Sequence, residues 1–168
     1  QIATRYAPGD IVVVADEAHA LANADTATVR RFRRFFEACP ARFVALSGTI
    51  TQKSVADYAH LSEQALGRYS PVPRPSKSKD EVRAWCAVMD RDGKPGPKEW
   101  SALGPFLNEW AEPIAGGGQY TLTGEARLAW ARKALQARLR SNPGVVCTGD
   151  GSCDASLVIT ELDAPEPP

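Results

Sequence analysis

The chain has 168 residues, of which 43% are hydrophobic and 24% charged, and its formal net charge is zero. A chain of this length and composition can bury one modest core, and its neutrality removes bulk attraction to nucleic acid as an argument for function. No stretch approaches the roughly 20 apolar residues that span a bilayer, and the start lacks the segments of a signal peptide. We therefore expect a soluble, cytoplasmic protein with no membrane partner.

The four cysteines are scattered along the chain, at Cys39, Cys86, Cys147 and Cys153. They form no CxxC pair, and His19 and His60 complete no zinc-ligand spacing, so we predict no zinc site. Reduced structural thiols are one interpretation, and a Cys147 to Cys153 disulfide is the alternative.

Residues 1–72 alternate the patterns of strands and helices, which predicts an α/β region. The β-branched run "IVVVA" at 11–15 is typical of a strand buried on both faces, and "RFVALSG" at 42–48 predicts a second buried strand. Between them, apolar residues recur at helical spacing after a cap at Asp25 or Thr26. These apolar residues are Val29, Phe32, Phe35, Phe36 and Cys39. A further helix is predicted at 53–67, ending at Gly67.

The order of strand, helix and strand predicts a right-handed parallel unit. We expect residues 11–15 to pair on one side with residues 43–47 and to lack a strand neighbour on the other. Open strand edges of this kind are a liability that other parts of a polypeptide usually cover.

The remainder of the chain divides into two regions by composition. In residues 73–120, prolines and glycines break up short helical stretches around Trp85 and around Phe106 to Trp110, which predicts an irregular, partly helical insert. Residues 121–168 begin with a strong helix at 122–144, with Leu128, Ala131, Leu135 and Leu139 on one stripe. A β-hairpin is predicted at 145–162.

Two carboxylates follow the first predicted strand directly, in the motif "VVVADEAHAL". Asp16 and Glu17 should therefore lie at the carboxyl edge of a parallel sheet, where α/β proteins bind ligands. Mg²⁺ bound to a nucleotide takes one or two carboxylates together with phosphate oxygens, which suits Asp16. Glu17 would then lie near an attacking water. Ser47 and Thr49, in "ALSGT", end the next strand and should emerge at the same edge.

The motifs "VVVADEAHAL" and "FVALSGTIT" resemble motif II, the Walker B or DEAH box, and motif III of superfamily-two helicases and translocases. The chain also looks like the middle portion of bacteriophage DEAD/DEAH-box helicases that resemble Swi/Snf-type translocases. The resemblance is strong over residues 11–74 and looser afterwards. It implies that the chain forms part of the first RecA-like lobe, with a parallel sheet of the P-loop NTPase type. It also implies that the protein acts in a bacterial or phage-infected cell.

The resemblance also implies a role for each motif residue. Asp16 would coordinate Mg²⁺, Asp16 and Glu17 would contact the bound ATP, and Glu17 would be the catalytic base. His19 would couple the nucleotide state to the second lobe and to motif III. Ser47 and Thr49 would act in that relay. The implied activity is nucleoside triphosphate hydrolysis that drives movement on DNA or RNA.

One departure from the family is clear, because the 168 residues contain no GxxxxGK[ST] phosphate-binding loop. The second lobe with its arginine fingers is also absent. Since the chain starts at Gln1, we expect it to be truncated and to act together with the missing remainder of the same polypeptide. Alone, it should not turn over ATP.

Basic residues on two predicted helices either contact phosphates or form solvated helix faces. Arg30, Arg31, Arg33 and Arg34 lie opposite the phenylalanines of the first helix. On the late helix the candidates are Arg127, Arg132 and Lys133, accompanied by Arg138 and Arg140. Trp85, Trp100, Trp110 and Trp130 either stack bases or belong to the core. Two functions stay open: a fragment of an ATP-dependent motor, or a non-catalytic module derived from one that docks on nucleic acid or protein.

Overall fold

Two short parallel strands form the sheet in the computed structural model, which describes residues 10–39, 41–47, 54–113 and 122–146. Strand β1 (Val12–Ala15) pairs with β2 (Arg42–Ala45), and the register places Val13 opposite Phe43. The predicted parallel pairing of the two segments is confirmed. Within the described part of the chain the sheet has only these two strands, so neither outer edge has a strand partner there.

Helix α1 (Ala27–Ala38) connects the two strands. The Thr26 hydroxyl accepts a hydrogen bond from the Val29 backbone N–H at 3.2 Å, so Thr26, rather than Asp25, caps the helix. Phe32 and Phe36 pack on Phe43 of β2, with ring centroids 5.0 and 5.6 Å from its ring. These contacts cover one face of the sheet.

The opposite face of the sheet is open to solvent, although its side chains are apolar. Val12 is 53% exposed, Val14 56%, Val44 40% and Leu46 48%. The prediction that both strands are buried on both faces is wrong for the described residues. The physical reason is that α1 and the helix after β2 pack on the same side, which leaves the other face uncovered by any described element.

Helix α2 (Val55–Leu66) lies between the sheet and the rest of the molecule. It starts at the Ser54 cap and ends at Gly67, whose φ of 55° suits a residue without a side chain. Leu61 packs into the small core under the sheet, whereas Tyr58 and Ala59 belong to a second and larger core. The predicted bounds of this helix are confirmed to within two residues.

Helices α3 (Lys79–Met89), α4 (Pro97–Trp110) and α5 (Gly124–Ser141) form the larger core together with α2. Leu103 and Val88 are completely buried, and Trp85 lies against Phe106 with ring centroids 4.6 Å apart. The helical stretches predicted around Trp85 and around Phe106 to Trp110 are present as α3 and α4, and these two helices supply much of the main core. Domain boundaries at residues 72 and 120 stay predictions.

Helix α5 confirms the predicted apolar stripe, since Ala131 and Leu135 are buried and Leu128 and Leu139 pack against the same core. Val145 and Val146 are not in a strand. The rest of the predicted hairpin, with Cys147 and Cys153, lies outside the described residues.

The described residues thus form a mixed α/β fold with five α-helices and a two-stranded parallel sheet. None of these helices combines the length and apolar character needed to cross a bilayer.

Candidate functional site

The acidic motif lies at the carboxyl edge of the sheet, where both strands end. The Leu46 backbone N–H donates to the Ala15 carbonyl at 2.9 Å, and the Ala18 N–H donates to the Leu46 carbonyl at 2.9 Å. Ala18 is also buried, at 1% exposure. The turn that follows β1 is therefore fastened to the residues that follow β2, and it holds Asp16 beside the segment that carries Ser47.

Glu17 adopts a left-handed backbone conformation, with φ 52° and ψ 46°. The Asp16 Oδ1 atom accepts a hydrogen bond from the Glu17 backbone N–H at 2.9 Å. Residues other than glycine adopt positive φ uncommonly, at a cost of about 1–3 kcal/mol, and such residues cluster at functional sites. Nothing in the amino-acid pattern indicates this conformation, because glutamate has no preference for it.

Three of the predicted site residues meet at one ring nitrogen. The His19 Nδ1 atom lies 3.0 Å from the Glu17 Oε2 atom and 3.5 Å from the Ser47 Oγ atom. A carboxylate can only accept, so the His19 ring donates to Glu17 when Nδ1 carries the proton. The two side chains remain open to solvent, with 51% of His19 and 68% of Glu17 exposed. Thr49 lies outside the described residues.

Asp16 and Glu17 suit a metal ion whose coordination shell is completed mainly by ligands other than protein side chains. No group of three or more histidine, cysteine, aspartate or glutamate side chains converges among the described residues. Mg²⁺ with a nucleotide needs only one or two protein carboxylates, because phosphate oxygens and waters complete its shell. Asp16 is exposed and uses Oδ1 in a hydrogen bond to backbone, which leaves a carboxylate with spare acceptor capacity. The donor set therefore fits a magnesium–nucleotide complex.

A groove of about 580 Å³ lies beside His19, between the segment after the motif and the first turn of α2. Asn23, Asp25 and Asp57 line it. Two carboxylates would repel the phosphates of a nucleotide, so this groove does not fit the phosphate tail.

His60 of α2 joins that helix to the end of the motif segment. Its Nε2 atom lies 2.9 Å from the Leu21 carbonyl, which requires the proton on Nε2. The Nδ1 atom is buried and has no hydrogen-bond partner among the described residues. Burial lowers the pKa of His60, and the neighbouring charge of Arg33 lowers it further. The sequence carried no signal for this contact, since it depends on the packing of α2.

A second polar cluster fastens the start of α2 to the end of α3. Asp90 accepts from the Ser54 hydroxyl at 2.6 Å and from the Val55 backbone N–H at 2.8 Å. Cys86 lies beside them, with its Sγ 3.4 Å from the Ser54 hydroxyl oxygen. Burial raises the pKa of the Cys86 thiol, and burial followed by the charge of Asp90 raises the pKa of Tyr58 well above its usual range. Both groups are therefore neutral and structural at ordinary pH.

The predicted phosphate-binding residues of α5 take part in contacts within the fold. The Arg127 guanidinium lies 3.9 Å from the ring centroid of Trp100, and Arg132 donates to the Met89 and Asp90 carbonyls at 3.1 and 2.7 Å. Lys133, by contrast, is exposed. The contacts of the two arginines provide a structural reason for their presence that does not involve nucleic acid.

The tryptophans support the core interpretation rather than base stacking. Trp85 is 3% exposed, and Trp100, Trp110 and Trp130 pack against the larger core. The Trp130 indole N–H also donates to the Glu112 carbonyl at 2.9 Å.

Comparison with known proteins adds no relative: no family model, no curated protein and no solved structure matches this chain. Fold and site therefore define a class only: a mixed α/β protein with an acidic motif at the carboxyl edge of two parallel strands.

Proposed function

We propose that the chain is part of the first RecA-like lobe of an ATP-dependent DNA or RNA helicase or translocase. The observation that supports this most is the convergence of Glu17, His19 and Ser47 at the ends of two paired parallel strands. The two sequence motifs that resemble motifs II and III are 28 residues apart at His19 and Ser47, yet these side chains come within hydrogen-bonding distance. The register that sets Ala15 opposite Ala45 brings the two motifs to one edge, and their polar side chains meet there.

In this proposal each residue of the site has one task. Asp16 would hold Mg²⁺, which neutralises phosphate charge when it is bound. Glu17 orients the attacking water and accepts its proton, and its left-handed backbone holds the carboxylate beside the sheet edge. His19 lies between Glu17 and Ser47, so a change at Glu17 reaches the segment after β2 through one side chain.

The phosphate-binding loop is the part of such a motor that these 168 residues do not contain. Backbone N–H groups and a lysine of that loop hold the nucleotide phosphates in P-loop proteins. We therefore expect no ATP turnover from this chain by itself, and we propose that the loop and the second lobe belong to further parts of the same polypeptide.

A non-catalytic docking module is the second candidate. The apolar open face of the sheet, formed by Val12, Val14, Val44 and Leu46, favours it, because exposed apolar patches often mark interaction surfaces. An ATPase assay on this chain cannot separate the candidates, since both predict no activity.

The test uses the complete polypeptide in which this chain occurs. Glu17→Gln should lower the rate of nucleic-acid-stimulated ATP hydrolysis by about 10²–10⁴-fold, because it removes the proton acceptor, and should leave nucleotide binding nearly unchanged. Glu125→Gln, at an exposed acid in the first turn of α5, is the matched control and should keep the full rate. Equal turnover in the Glu17 variant, or a complete polypeptide without a GxxxxGK[ST] loop, would contradict the motor and favour the docking module.

A further inference from the structure

Four arginines of α1 form an exposed basic surface, which we call the α1 arginine face: Arg30, Arg31, Arg33 and Arg34. Arg30, Arg31 and Arg34 occupy the side of the helix away from the sheet, and Arg33 lies at the flank, where its charge reaches His60 of α2. Val29 on the other side is completely buried, and Phe32 and Phe36 pack under the strands. The packing therefore fixes the direction in which the arginines project, and it turns them towards solvent.

None of the four arginines has an acidic partner in the described part of the chain. The ion pairs found there join His19 to Glu17 and Arg83 to Asp80. Helix α1 contains a single acidic residue, Glu37. Arg30 lies three and four residues before Arg33 and Arg34, and like charges at these spacings destabilise a helix. The α1 arginine face thus carries repulsion that a bound polyanion would relieve.

The basic residues of α5 are in a different situation. Arg138 lies over the rings of Phe106 and Trp85, 5.7 and 5.9 Å from their centroids, and burial lowers its pKa. Arg127 and Arg132 have the contacts described above. The cations that sequence patterns favoured for phosphate contact are largely engaged within the fold, and those of α1 are not.

We propose that the α1 arginine face binds the sugar-phosphate backbone of a single nucleic-acid strand. The identity of the polyanion rests on the proposed function. Guanidinium groups match phosphate oxygens in a two-point geometry, and Arg30 to Arg34 span a rise of about 6 Å along the helix, enough for more than one phosphate. Phe35, at 37% exposure, borders the face and offers an aromatic ring to a base. This ring favours nucleic acid over an acidic protein segment.

The position of the helix connects binding to the candidate site. Only residues 22–26 separate α1 from the short 3-10 helix Ala18–Leu21, which contains His19. A strand held on α1 would therefore bind the helix that follows this element along the chain.

Binding is measured by fluorescence anisotropy of a labelled oligodeoxythymidylate of about 20 nucleotides with the 168-residue chain. Each neutralised phosphate on a single strand contributes about −0.7 to the slope of log K against log salt concentration. Two to four contacts therefore predict a slope between about −1.4 and −2.8. Because the whole chain is neutral, a slope of this size requires a local basic surface.

Replacement of all four arginines by glutamine should lower the affinity at least tenfold at about 50 mM salt and flatten the slope towards zero. The matched control replaces four exposed lysines elsewhere, Lys77, Lys79, Lys94 and Lys98, and should bind as the natural chain does. Thermal unfolding monitored by circular dichroism checks that both variants fold. The arginine variant should be at least as stable, because the repulsion within α1 is removed.

Three results would overturn the inference: no binding at about 50 mM salt, an equal loss in the lysine control, or competition by polyglutamate as effective as that by unlabelled oligonucleotide. The hydrolysis test at Glu17 is independent of these. A chain that binds through α1 while the Glu17→Gln polypeptide keeps its turnover would refute the proposed motor and leave this surface intact. Lost turnover in the Glu17→Gln polypeptide, without binding at α1, would support the proposed motor and refute the α1 arginine face as a binding surface.

Discussion

The two cores of this protein differ in how much they bury. Among the described residues, the core under the sheet contains three buried members, Ala18, Phe43 and Leu61, and no described element covers the other face of the same sheet. The core shared by α2, α3, α4 and α5 has five times as many buried members and includes the fully buried Leu103. The motif residues belong to the thinly covered part, where carboxylates stay hydrated and near solvent. The stability of the fold should reside mainly in the helices.

Helix α2 connects these two parts. Leu61 faces the sheet core and Tyr58 the helical core, and Asp90 holds the start of α2 from the end of α3. Each prediction below tests whether the helical part supports the sheet part through α2.

The largest effect is expected from opening a cavity in the helical core. Leu103→Ala should lower the free energy of unfolding by about 2–5 kcal/mol, because the leucine is completely buried. The matched change on the open sheet face, Val14→Ala, should alter it by less than about 0.5 kcal/mol, since Val14 is 56% exposed. Urea denaturation followed by circular dichroism measures both.

A loss at Val14→Ala as large as that at Leu103→Ala would contradict the comparison. It would mean that the open sheet face packs against something in solution.

An intermediate effect is expected where α3 holds α2. Asp90→Ala removes the acceptor for the Ser54 hydroxyl and the Val55 N–H, and should lower the free energy of unfolding by about 1–2 kcal/mol. Asp92→Ala, at an exposed carboxylate two residues away, serves as the control and should have little effect. Similar losses of unfolding free energy in the two variants would show that Asp90 acts through its charge and not through its hydrogen bonds to Ser54 and Val55.

The smallest effect is a dependence of stability on pH at His60. Because burial lowers the pKa of this ring, the unfolded chain binds a proton more readily than the folded protein does. The free energy of unfolding should therefore have its full value above pH 6.5, the ordinary pKa of histidine. It should decrease as the pH falls from there towards the lower pKa of His60 in the folded protein. Urea denaturation at a series of pH values measures this loss.

His60→Gln keeps a donor for the Leu21 carbonyl but cannot titrate, so this part of the pH dependence should disappear. His19→Gln, at an exposed ring, should retain it. An unchanged pH profile in the His60 variant would show that His60 is not the group responsible.

Local signals predicted several elements well. The Thr26 cap, the stop at Gly67 and the stripe through Ala131 and Leu135 each depend on residues close together along the chain, and the structure confirms them. The parallel pairing of β1 with β2 also followed from the order of the elements. The open face of the sheet did not, because a β-branched run looks the same whether one or two layers cover it.

Helical stretches around Trp85 and Phe106 were visible in the sequence, but the prolines and glycines obscured how far α3 and α4 extend. Those residues mark the turns, whereas the packing of Trp85 on Phe106 orders the helices themselves. The contact of Asp90 with Ser54 spans 36 residues, and no local pattern indicates it.

The amino-acid sequence by itself determined the acidic pair after β1, the polar segment after β2 and the parallel order that brings both to one edge. Tertiary structure alone decided the left-handed backbone of Glu17, the meeting of His19 with Ser47, and which arginines remain open to solvent. Periodicity and capping act within a few residues and are visible in the chain. Burial and hydrogen bonding between distant segments depend on which surfaces the completed packing leaves covered.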